Sequence, residues 1–194
     1  MTGRRTTLAT AIRRALAALQ KAEIPFAVIG ATALAVRGFP RMTRDLDVVV
    51  LREDGFAAID ALLEAGFASV TPIDRNEDPE PMYVLQRGKD EVDVLVASGE
   101  PESTVVAEAT TAKVFGTKAP VATLEQLVLM YLYSNQPRHI GDLARIVTES
   151  DVNRADVERY LMDVHPEMLS VLKDRVQAAR HPPPPPPRPK SKRR

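Results

Sequence analysis

The sequence predicts an α/β protein of the α+β kind, in which a small mixed sheet flanked by helices is followed by a C-terminal helical region. Three observations carry this reading. Apolar runs of strand character at 26–30, 45–51 and 91–96 are separated by segments of helical periodicity. Beyond residue 123 the apolar patterns have helical spacing throughout. Two aspartates, Asp45 and Asp47, stand at the mouth of the run Val48-Val49-Val50-Leu51, and a third, Asp93, lies inside a later run. The expected division is a core over 1–115, a helical region over 116–179 and a Pro-rich basic tail over 180–194.

In chain order, Leu8, Ile12, Ala15, Leu16 and Leu19 recur at helical spacing, with Thr6 or Thr7 as cap. The segment is Arg- and Thr-bearing and free of acid until Glu23, as organellar transit peptides are. Because it runs straight into Pro25 and the first strand, it reads as the first helix of the domain, and a cytoplasmic protein is expected. A buried strand over 26–30 and a helix over 31–37 follow, the helix ended by Gly38 and Pro40. The loop 39–44 leads into a strand over 45–51. Phe56, Ile59, Leu62 and Leu63 then mark a helical face that Gly66 stops.

Residues 68–73 have strand character, 74–81 form a polar loop, and 82–86 with 91–96 read as a hairpin around Arg87-Gly88-Lys89-Asp90. Residues 104–121 fit a helix followed by a short strand, without a firm choice. Thr123 caps a strongly apolar helix, with Glu125 and Gln126 in its first turn. A break at 135–141 precedes helical patterns over 142–147, 154–164 and 166–179. Six consecutive prolines, Pro182 to Pro187, and the basic residues after them read as an extended, disordered end.

Composition narrows the chemistry. Among 194 residues there is no cysteine, which excludes disulfides, thiolate zinc sites and a cysteine nucleophile. The formal net charge is zero, but Arg180, Arg188, Lys190, Lys192, Arg193 and Arg194 lie in the last 15 residues. Removing these 6 from 26 basic residues leaves 20 against 26 acidic, so 1–179 carry a net −6. An acidic body presents no broad phosphate-binding surface, so any nucleic-acid contact comes from a local patch or the tail. No apolar run approaches the ~20 residues of a membrane span, and no membrane association is expected.

The three acids suit one site. Side chains alternate along a strand, so Asp45 and Asp47 share a face while Leu46 and Val48 take the other. Like charges at the edge of a buried strand repel and lose hydration unless a cation neutralises them. Magnesium fits, since it takes carboxylates together with substrate phosphate oxygens, and two such ions can serve an in-line displacement. Gly30, Ala31 and Thr32, where strand turns into helix, offer backbone N–H groups to an anion. Arg41 and Thr43 serve equally to hold the loop or to bind phosphate. The competing structural reading has Asp45 capping its loop and Asp47 pairing with Arg41 or Arg44. His139 and His165 lie beside turns without metal-ligand spacing.

A strand ending at Gly30-Ala31, then Asp45-Leu46-Asp47, then Asp93 on a later strand resembles the polymerase-beta-type nucleotidyltransferase fold. With Ala33-Leu34, Gly38, Arg41 and Thr43 added, the string looks more narrowly like the AbiEii/MenT-type nucleotidyltransferases of bacterial toxin–antitoxin and phage-defence systems. The likeness is good over about 24–96. It implies a magnesium-dependent transfer of a nucleoside monophosphate from an NTP to an acceptor, with Asp45, Asp47 and Asp93 as metal ligands and catalytic acids and two ions bound. It implies nucleotide contacts from Gly30, Ala31, Thr32, Arg41 and Thr43, an acceptor that is a tRNA end or a protein side chain, and a cognate antitoxin. In the helical region Arg138 and Asp142 match the family's nucleotide-contacting segment. There Tyr131 stands where a Lys is usual, Gly141 where a second Lys is, and Arg145 where a final Asp is, while Ala31 replaces a Gly or Ser. Those departures motivate an alternative, a catalytically degenerate module that binds nucleotide, RNA or a partner; an aminoglycoside-type small-molecule acceptor is another. In a third reading the basic tail is the functional part and the domain its platform.

Overall fold

The computed structural model describes residues 8–134, 136–149 and 151–180. The expected caps Thr6 and Thr7 and the proline run lie outside them. Two compact units divide at Met130/Tyr131, later than the boundary expected at 115/116, because the sheet itself extends to Val121.

The first unit is built on a seven-stranded mixed sheet in the order β3-β4-β5-β2-β1-β7-β6. Its strands are β1 (Phe26–Val28), β2 (Asp45–Val50), β3 (Ala68–Ser69), β4 (Met82–Arg87), β5 (Asp90–Val96), β6 (Thr110–Val114) and β7 (Thr117–Val121). At its centre β2 runs antiparallel to β1 and parallel to β5, in a register that sets Asp47 opposite Asp93. The expected alternation holds: Leu46, Val48, Val50, Val92, Val94 and Val96 are buried, while Asp45, Asp47 and Asp93 on the other face are half-buried.

The helices of this unit are α1 (Leu8–Lys21), α2 (Gly30–Val36), α3 (Gly55–Glu64) and α4 (Glu102–Glu108). Helix α1 buries Ala11, Ile12, Ala15, Leu16 and Leu19, the apolar stripe read from the sequence, and packs against α3, β5 and β7. Helix α3 ends as expected at Gly66, which takes φ +86°; Gly66 and Phe67 donate back to Leu63 and Leu62.

Three sequence expectations change. The strand over 68–73 shrinks to β3, because the Thr71 hydroxyl rather than a backbone carbonyl accepts the Val84 N–H, and Pro72 has no N–H to donate. The undecided stretch 104–121 contains the end of α4 and a complete two-stranded hairpin, β6–β7, where one short strand was expected. The break at 135–141 is shorter than expected, since the next helix already starts at Pro137. Proline needs no N–H in a first helical turn.

Helix α5 (Leu124–Tyr133) carries the chain into the second unit. It opens on a reciprocal cap: the Thr123 N–H donates to Gln126 Oε1 at 2.8 Å and the Gln126 N–H to Thr123 Oγ1 at 3.3 Å. The second unit holds α6 (Pro137–Glu149), α7 (Asp151–Val164) and α8 (Met168–Arg180) in mutual contact. Leu143, Ile146 and Val147 of α6, Val157 and Leu161 of α7 and Leu172 of α8 are fully buried.

Candidate active site

The parallel pairing of β2 and β5 brings Asp47 and Asp93 side by side, and the two-residue period of β2 adds Asp45 to the same face. One carboxylate oxygen from each lies within 4.8 Å of the other two. Glu91, opposite Asp45 in register, is also on this face, but Gln86 of β4 donates to its Oε2 at 2.7 Å. Thr43 donates its hydroxyl to the Asp45 carboxylate and so ties the preceding loop to the cluster. Three half-buried carboxylates this close suit a hard divalent cation with room for further oxygen ligands, so the donor set fits magnesium.

Gly30 makes the cluster sterically possible. It adopts φ +61°, and a Cβ there would fall on Asp47 Oδ2 and lie 2.6 Å from its Cγ. A glycine at this bend thus satisfies the backbone and clears space for a carboxylate. The Ile29 N–H donates to the Asp47 carbonyl at 3.0 Å, fixing the end of β1 to β2 at the same point.

Ala31 and Thr32 of α2 and Arg41 and Thr43 of the following loop line a cavity of about 300 Å³. Lys113 and Phe115 of the β6–β7 hairpin complete its lining. Thr32 is 3% exposed, and its hydroxyl has no hydrogen-bond partner. The hairpin is held by Arg37, at the end of α2. Its Nε donates to the Ala122 carbonyl at 2.8 Å, and its Nη2 donates to the Val121 carbonyl and to Thr110 Oγ1, each at 2.6 Å. Burial lowers the Arg37 pKa, while the charge of Glu125 acts to raise it.

Arg138 and Asp142 belong to the second unit, where they stand one turn apart on α6. Arg138 donates from Nε to Gln136 Oε1 at 2.8 Å. The positions departing from the family pattern have other engagements: Tyr131 is 5% exposed and stacks on His139 with centroids 4.6 Å apart, and Arg145 donates to Glu149 at 2.9 Å. Among the described residues, no helix is long and apolar enough to cross a membrane. Sequence reasoning missed Arg37, Lys113 and Phe115. The signal for the last two was there, in apolar and β-branched residues on both sides of Phe115-Gly116, the two-residue spacing of a hairpin.

The mixed sheet, with Gly30 facing an acidic pair on one strand and a third acid on its parallel neighbour, defines a nucleotidyltransferase fold. A family model described as the nucleotidyl transferase AbiEii toxin of a type IV toxin–antitoxin system matches residues 14–191. The chain belongs to this AbiEii nucleotidyltransferase family.

Solved structures agree at the level of the fold. ANT(2")-Ia in complex with adenylyl-2"-tobramycin is 18% identical, with a TM-score of 0.52 over 89% of this chain and 98% of that one. TM1012 of Thermotoga maritima, described as a nucleotidyltransferase, is 17% identical, with a TM-score of 0.53 over 72% and 91%. The lincosamide antibiotic adenylyltransferase LnuA, lincomycin-bound, is 10% identical, with a TM-score of 0.51 over 72% and 96%. A comparison with curated protein sequences finds no significant match.

Proposed function

We propose that the protein is a magnesium-dependent nucleotidyltransferase that moves a nucleoside monophosphate from an NTP to an acceptor hydroxyl. The observation that carries this reading is the meeting of Asp45, Asp47 and Asp93 within 4.8 Å beside Gly30. Asp45, Asp47 and Asp93 would hold two magnesium ions, which when bound supply neutralisation of phosphate charge.

The chain's own groups perform the remaining work. The backbone N–H groups at Gly30, Ala31 and Thr32 bind the triphosphate, with Arg41 and Thr43 beside them, and orient it toward the cluster. Asp93 accepts the proton of the acceptor hydroxyl as its oxygen attacks the α-phosphorus. The new P–O bond forms as the bond to the β-phosphate oxygen breaks, and pyrophosphate leaves with the electron pair.

Family membership supports a toxin role with an antitoxin as partner, and an acceptor that is a tRNA end or a protein side chain. The likeness in fold to ANT(2")-Ia and LnuA supports a small-molecule acceptor as the second reading. A binding module without turnover is favoured by one observation, the burial of Tyr131 against His139 where the family pattern has a Lys. Magnesium-dependent pyrophosphate release tests the choice. The enzyme loses it in Asp47→Ala with its melting temperature retained, and full activity in that variant would sink the mechanism.

A further inference from the structure

The acidic face of the sheet does not end at the three aspartates. Residues opposite one another in an antiparallel pair share a face, so Val84 of β4 lies beside Asp93, Gln86 beside Glu91 and Met82 beside Leu95. The other row of β4 is sealed, with Tyr83 and Leu85 fully buried, whereas on this row Gln86 is exposed and Met82 is 48% exposed. Val70, just past β3, donates its N–H to the Val84 carbonyl at 2.8 Å and is 58% exposed. An open apolar step thus leads from the acids to the β3 edge, on the flank opposite β1, β7 and β6.

The charge on this face has one sign. Asp45, Asp47, Asp93 and Glu91 all lie on it, and the registers of β2, β5 and β4 place no Lys or Arg there. A nucleic-acid backbone finds no counter-charge on such a surface, while a basic, proline-rich chain finds both counter-charge and apolar contact. Residues 181–194 have that chemistry, with six consecutive prolines, five cations and no acid. Ser191, between Lys190 and Lys192, is the one hydroxyl in the segment. Lysine amines are protonated at neutral pH and have no free electron pair with which to attack phosphorus; a serine hydroxyl needs only a base.

We infer that residues 181–194 of a second copy of the chain dock on this face, prolines on Met82, Val84 and Val70 and cations against the carboxylates, and present Ser191 as the acceptor. The inference rests on the transferase reading and narrows its acceptor to a protein side chain. Ser191 Oγ gives its proton to Asp93 and bonds to the α-phosphorus of the NTP; the bond to the β-phosphate oxygen breaks, and pyrophosphate leaves with the electron pair. The resulting phosphodiester sets a negative charge among the acids, which favours release of the modified segment.

Because the chain has no cysteine, docking can be read without turnover. Full-length Met82→Cys is mixed with full-length Ser191→Cys under a mild oxidant, and the mixed disulfide dimer is identified by mass. Ala17→Cys, on the exposed side of α1, replaces Met82→Cys as the control. The Met82→Cys pair should crosslink about tenfold faster than the control pair, and the excess should fall in about 1 M salt; equal rates overturn the inference. For transfer, wild-type protein, magnesium and α-labelled NTP are given a size-tagged Asp45→Ala/Asp47→Ala copy as acceptor. The expected result is label on Ser191 of the tagged copy, mapped by mass spectrometry and absent when that copy also carries Ser191→Ala. Label on added tRNA or elsewhere on the chain, with Ser191 unmodified, overturns the inference. Preferential crosslinking in a protein that labels no acceptor supports the docking and counts against the transferase reading alone.

Discussion

Gly30 and Asp47 depend on one another. The glycine tolerates φ +61° and leaves the volume that the Asp47 carboxylate fills. Gly30→Ala therefore incurs two penalties, about 1 kcal/mol or more for the left-handed backbone and a displacement of the carboxylate. We expect a lower melting temperature and a loss of transfer of roughly a hundredfold, the usual scale for misplacing a reacting group by about an ångström. Asp47→Asn separates the two effects. It removes one of three mutually repelling carboxylates, so in metal-free buffer its melting temperature stays level or rises while transfer falls to background. A marked loss of stability in Asp47→Asn would show instead that the carboxylate is structural. The acids were legible in the sequence because the two-residue period of a strand fixes which side chains share a face. Their partners were less so: the Gln86 contact that engages Glu91, and the space that Gly30 leaves, depend on register between strands distant in the chain.

Arg37 ties an element to its neighbour. Its guanidinium caps the carbonyls of Val121 and Ala122 and reaches Thr110, anchoring both strands of the hairpin to the end of α2. Arg37→Ala leaves part-buried carbonyls without that donor and is expected to cost about 1–3 kcal/mol, measured by urea unfolding, with weaker nucleotide binding than wild type. Unaltered stability would mean that the hairpin holds without this anchor.

Asp54 gives a pH-dependent case at the start of α3. Burial pushes its carboxyl above the usual range, with the charge of Glu53 adding to the rise. A raised folded-state pKa means that the ionised group costs stability above that pKa and that the cost vanishes below the unfolded value. Asp54 makes no side-chain capping hydrogen bond to α3, so Asp54→Asn loses none and should melt higher than wild type at neutral pH, the gap closing on acidification; a gap that does not change with pH would contradict this. At this scale the sequence was readable where the signal is local: the Thr123–Gln126 cap, the Gly66 stop and the stripe of α1 are set within a few residues. For β6–β7 the strand pattern on either side was readable but the turn was not, because Phe115, with φ +47°, occupies a position between the paired Val114 and Thr117 that ordinarily announces itself with Asn or Asp.

For the whole molecule, the account requires folding and metal binding to be linked. A cation held by the native cluster and not by the unfolded chain stabilises the protein, by about 2.7 kcal/mol at a hundred times its dissociation constant. Magnesium should raise the melting temperature of the wild-type protein by several degrees and leave Asp45→Ala/Asp47→Ala unmoved; an equal rise in both would place the ion elsewhere. The most direct test of the central claim is label transfer from each of the four α-labelled NTPs with magnesium, in the presence of total tRNA and of the protein itself, against the same double variant. The account predicts label on an RNA or protein acceptor that disappears in the variant, naming base and acceptor class together. Label transferred equally by the variant, or magnesium-dependent NTP binding absent from both proteins, would contradict it, because the three carboxylates would then have no part in the chemistry.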